Sequence, residues 1–101
     1  MLFQVIHTHT SENYPARSPE QTKVLSNWWQ TLKKNSGVKV LTGYVSPLDH
    51  TFYITVEADD YSTLARALGP LVPVGTGHII PVISLDQTLA IAEAGAFRAS
   101  K

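Results

Sequence analysis

From Leu2 to Thr8 the chain alternates in steps of two, with Phe3, Val5 and His7 on one side and Leu2, Gln4, Ile6 and Thr8 on the other. That period predicts a first strand. After a polar stretch, Ser18, Pro19 and Gln21 supply an N-cap, a proline at the first helical position and a capping-box partner. Val24, Leu25, Trp28, Trp29 and Leu32 then recur at helical spacing, and Gly37 is a stop signal, so a helix is predicted from Pro19 to about Asn35. "VKVLTGYV" and "TFYITVEA" are rich in β-branched and aromatic residues and predict a hairpin through the turn "SPLDH". Asp59 and Asp60 can cap a second helical stripe, Tyr61, Leu64, Ala65 and Leu68, which Gly69 and Pro70 end. "HIIPVISL" reads as a fourth strand whose Pro81 marks a sheet edge. "LDQTLAIAEAGAF", with Asp86 as its cap, predicts a C-terminal helix ending near Gly95.

The elements therefore run β-α-β-β-α-β with a helix appended, the split βαβ order of ferredoxin-like α+β folds. A right-handed crossover makes the first two strands parallel and places the third between them, for an antiparallel sheet of order 4-1-3-2 with both helices on one face. Regular alternation along the second strand puts Val38, Val40 and Tyr44 on one side and Leu41 and Val45 on the other, while the fourth strand is apolar on both sides. A sheet face left to water alternates toward polar residues. Here it does so only by half, so the uncovered face is expected to be buried against a second copy in a homodimer.

The run "YITVEADDYSTLARAL" followed by "HIIPVISL", in a β-α-β-β-α-β chain of this length, resembles the dimeric α+β barrel superfamily, closest to its short uncharacterised families. The likeness spans nearly the whole chain, and its motifs are structural: a strand end, a cap and an edge proline. It implies a dimeric barrel. The superfamily includes monooxygenases, polyketide cyclases, lactone isomerases, haem enzymes and ligand-sensing modules, so the likeness leaves chemistry open.

A chain of 101 residues is expected to form one domain, residues 1–101. Eight basic residues balance eight acidic ones, which leaves no net positive field for a nucleic acid. No apolar run is long enough to span a bilayer, and the N-terminus lacks a signal-peptide pattern, so a cytoplasmic protein is expected. The chain has no cysteine, which leaves His, Asp and Glu as the ligands a metal could use.

The expected topology brings the four histidines to one end of the sheet. His7 and His9 end the first strand, His50 closes the hairpin turn and His78 opens the fourth strand. Residues two apart on a strand share a face with Cβ atoms about 6.5 to 7 Å apart, a span one ion can bridge. His7, His9 and His78, or His50 in place of His78, would suit a divalent ion such as zinc or iron, although nothing in the sequence requires a cofactor. The alternative chemistry is acid–base work by an imidazole, with His7 and His50 as its catalytic residues. Tyr14 and Tyr53 could donate to a ligand oxygen, and Arg17 could clamp a carboxylate. The expected function is binding of a small, partly apolar molecule between sheet and helices. Two forms are open: an isomerase- or cyclase-type enzyme, and a non-enzymatic metal- or ligand-binding module of regulatory type.

Overall fold

The computed structural model describes residues 1–10, 17–35 and 37–98. Its elements are β1 (Leu2–Thr8), α1 (Pro19–Lys34), β2 (Val38–Ser46), β3 (Thr51–Ala58), α2 (Tyr61–Ala67), β4 (Thr76–Val82) and α3 (Leu85–Glu93), with a 3-10 turn at Gly69–Leu71 before β4. The four strands form one sheet of order β2-β3-β1-β4, antiparallel at every junction. This is the ferredoxin-like arrangement that the element order implies.

Local chemistry explains the helix starts. Ser18 is extended and its hydroxyl accepts from the Gln21 N–H at 3.2 Å, with Pro19 following as the first helical residue. Asp60, not Asp59, caps α2 by accepting from the Thr63 N–H at 2.7 Å. At α3 the cap is Ser84 rather than Asp86. Ser84 accepts from the Gln87 N–H while the Gln87 side chain accepts from the Ser84 N–H, a reciprocal pair that leaves Asp86 in the first turn. The fourth strand begins two residues earlier than its apolar run, because Thr76 and Gly77 already pair with Thr8 and His7.

Phe3, Val5, Ile54, Val56 and Val38 project from one sheet face and meet Leu32 of α1 and Leu64 of α2 in the core. Phe3, Val56 and Leu64 are fully buried, each contributing roughly 1.5–3 kcal/mol relative to exposure. Along β2 the alternation breaks. Val40 pairs with Val56 but Thr42, not Leu41, pairs with Thr55, so Leu41 is the extra residue of a β-bulge. Beyond it Gly43 and Val45 stand on the helix-bearing face opposite Ile54 and Phe52, and Tyr44 turns to the open face opposite Tyr53. Tyr44 and Val45 therefore exchange the sides that regular alternation assigns them.

Candidate functional site: an apolar cleft beside a histidine cluster

Past the bulge, Gly43 lies beneath Trp29. A Cβ built on Gly43 would overlap Cη2 of the indole and approach Cζ2 to 2.8 Å, so the ring rests on bare backbone. Trp28 is tied from the same helix by its indole N–H, which donates to the Ala67 carbonyl at 3.3 Å. The two indole rings lie 6.1 Å apart, and the Lys33 ammonium sits 5.5 Å from the Trp29 ring. Both tryptophans, with Leu25, Gly43, Phe52 and Ile54, line a cleft of about 350 Å³ between α1 and the β2–β3 hairpin. Its walls are almost wholly apolar.

Phe52 joins this cleft to the histidines. Its ring centroid lies 6.1 Å from that of His7 and 5.3 Å from that of His9. His7 and His9 are 6.4 Å apart, and His9 stands edge-on to His50 at 5.2 Å. His7 and His9 are only 5% and 4% exposed. The backbone assembles the group: the His9 N–H donates to the His50 carbonyl at 2.9 Å, extending the β1–β3 ladder past Thr8 and Thr51, and His50 turns the chain at φ 51°. On the other side, Gly75 at φ +102° packs its backbone against Thr8 and His9.

Three of the four histidines thus meet. His78 pairs with Ile6, so its side chain leaves the sheet from the open face, whereas His7 pairs with Phe52 and Gly77 and points toward the helices. Tyr53 likewise lies on the open face, away from the cluster. Arg17 borders a smaller recess of about 110 Å³ with Trp28 and Leu71. Tyr14 lies outside the described residues. Among the described residues no group of three His, Asp or Glu side chains is placed to hold a metal ion. Gly43 and Phe52 carry no mark in the sequence, where Trp28 and Trp29 stand only as members of a helical stripe. The adjacent aromatic pair was the one available signal.

Residues 1–96 match DUF3303, a domain of unknown function. The chain belongs to the DUF3303 family. No curated protein matches it. Among solved structures, SCO4226 from Streptomyces coelicolor A3(2) is similar over 83% of this chain and 100% of its own, with a TM-score of 0.53 and 14% identity, a likeness of fold. A Deinococcus radiodurans R1 protein described as a candidate transposase overlaps 99% of this chain and 92% of its own, at a TM-score of 0.46 and 9% identity. Among the described residues of the DUF3303 chain, no helix is long and apolar enough to cross a membrane.

The imidazoles of this DUF3303 chain are not equivalent. The His7 Nε2–H donates to the Leu71 carbonyl at 3.0 Å, because a carbonyl can only accept; Nδ1 is then a buried lone pair. Burial first, then the neighbouring rings of His50 and His7, hold the His9 pKa below its usual value. His9 is therefore uncharged at neutral pH. The same shift makes stability depend on pH. The unfolded chain takes up a proton at His9 near the ordinary histidine value of about 6.5, before the folded chain does. The stabilisation is complete above that value and is lost as pH falls from it toward the lower folded pKa. Urea midpoints measured from about pH 7.5 down to about pH 5 are expected to fall, and to fall less in His9→Gln. An identical slope in the variant would assign the dependence elsewhere.

Proposed function

We propose that this protein binds a small, largely apolar molecule carrying a ring system, held between α1 and the β2–β3 hairpin. One observation carries the reading: a cleft of about 350 Å³ is walled by Trp28, Trp29 and Phe52 and floored by Gly43, against whose backbone the Trp29 ring packs. Ligand pockets start at about 300 Å³ and are mostly apolar with a few polar groups at one end. Here Thr22 and Ser26 lie on the cleft itself, and the imidazoles stand on the far side of Phe52.

The packing of His9 against Phe52, with 5.3 Å between ring centroids, favours a second, catalytic reading on the same site. A ligand reaching past the edge of Phe52 would present a C–H next to its carbonyl to the neutral His9 ring. The imidazole takes that proton, leaving an enolate, and returns a proton to another atom of the same framework, which is the chemistry of isomerases and cyclases. His9 takes the place of His7 as the base in this scheme because its ring lies nearer Phe52, 5.3 Å against 6.1 Å between ring centroids.

Both readings are tested with 2-naphthol and 2-tetralone, two-ring probes of which the second is an enolisable ketone. Saturable change in tryptophan emission is expected with either, weakened about tenfold or more in Trp29→Ala, a loss of about 1.4 kcal/mol. In heavy water, deuterium should enter 2-tetralone faster than in buffer alone, and His9→Gln should abolish that while leaving binding intact. Absence of saturation removes the cleft as a ligand site. Binding without deuterium uptake reduces the protein to a binding module.

A further inference from the structure

Two apolar surfaces of this chain find no cover among the described residues. The first is the C-terminal arm. Helix α3 has a complete capping box, yet none of its residues is buried and it touches the other elements at most marginally. Leu85 is 80% exposed, and Ile83, Leu89 and Phe97 are each half exposed or more. A helix of nine residues is too short to persist in water on its own hydrogen bonds and needs a surface to pack on. The second surface is the free edge of β2. Every residue from Leu41 to Val45 is exposed, Tyr44 to 71%, and the run holds no charge and no proline to guard it. Tyr44 and Val45 also border the cleft.

The two surfaces lie at opposite edges of the sheet. β4, from which α3 departs, is one edge strand, and β2 is the other. The whole molecule extends 58 Å along one axis against 30 and 19 Å along the others, with a radius of gyration of 16.5 Å; a compact chain of this length would have about 13 Å. Its accessible area is 7105 Å², whereas a compact monomer of this mass exposes roughly 5,650 Å². The excess of roughly 1,450 Å² is more than the roughly 800 Å² that each partner loses in a standard interface.

We propose that two copies of this chain exchange their arms, α3 of each lying along the β2 edge of the other and over the mouth of its cleft. The exchange is isologous, so one contact made twice covers both arms and both edges. Leu85, Leu89 and Ala92 share one face of α3 by their spacing and meet the Leu41–Val45 run. Resting on the ligand-binding reading, the inference adds that the cleft is completed by the partner: the bound molecule has tryptophan walls from one protomer and a leucine lid from the other.

The chain has no cysteine, which permits a direct test. Wild-type protein in sedimentation is expected at twice 11.1 kDa. Leu85→Asp with Leu89→Asp, both at exposed positions, should give a folded monomer whose tryptophan emission moves to the red as the cleft opens. Leu89→Cys chains mixed with Tyr44→Cys chains should form a disulfide-linked dimer on mild oxidation, faster than either alone. A monomeric wild type, a doubly substituted variant that stays dimeric, or a dimer without preferential cross-linking would each overturn the exchange. The naphthol titration separates the two claims: a cross-linking dimer that binds no naphthol refutes the ligand site alone, and a wild-type monomer that binds it refutes the exchange alone.

Discussion

Gly75→Ala is expected to destabilise the protein by about 2–4 kcal/mol, which for a domain of this size lowers Tm by roughly 10–30 °C. Two costs combine. Gly75 has φ +102°, where an L side chain is strained by about 1–2 kcal/mol. The added Cβ would also overlap the Thr8 carbonyl oxygen and lie 2.9 Å from the His9 Cα. Both are backbone atoms, so no side-chain rotation relieves the overlap, and the start of β4 must move away from the end of β1. The histidine cluster is held at that junction. The same variant should therefore raise the His9 pKa toward its ordinary value as the ring gains solvent. Urea unfolding gives the first quantity and imidazole NMR titration the second; a variant within about 0.5 kcal/mol of the parent would show that this close approach does not hold the two strands together.

Gly43→Val should have its main effect on binding. Valine suits a β-strand better than glycine, so the backbone of β2 gains from the change. The side chain, however, occupies the place of the Trp29 ring, and the indole must leave its seat. Overpacking of this kind costs about 1–3 kcal/mol of stability. The cleft loses its floor and one wall together, so affinity for a two-ring probe such as 2-naphthol is expected to fall at least tenfold, about 1.4 kcal/mol. Tryptophan emission and probe titration on the folded variant check both parts. Unchanged affinity would move the ligand site away from the indoles. The neighbouring cleft of about 270 Å³ between α2 and β4, bordered by His7, Tyr61 and Leu71, would then be the place to examine.

Much of the fold is legible along the chain because its signals are local. Ser18 with Pro19, Asp60 before Tyr61, and the period-2 run from Leu2 to Thr8 each depend on residues within a few positions. Once those elements are placed, crossover handedness limits the ways they can assemble, and the order β2-β3-β1-β4 follows. The meeting of His7, His9 and His50 is legible for the same reason, since each terminates an element whose direction is known. His78 shows the limit. Strand direction places it at the right end, but its pairing with Ile6 sends the ring through the other face.

The cleft was not legible. It depends on Leu41, an extra residue in β2 that is apolar and β-compatible like its neighbours and carries no mark of a bulge. Without that residue's displacement, Tyr44 would point toward the helices and Gly43 would face away from Trp29. The exposure of α3 was hidden in the same way, because a capped apolar helix reads identically whether it packs on its own sheet or reaches beyond it.

By itself, then, the sequence determines where strands and helices begin, in what order they join and which end of the sheet gathers imidazoles, since hydrogen-bonding caps and side-chain periods act over a few residues. Only the tertiary structure decides which face each side chain takes after the bulge, that Trp29 covers Gly43, and that the C-terminal arm is left uncovered. Those outcomes are set by pairing between distant strands and by close packing, and a one-residue slip in register reverses them.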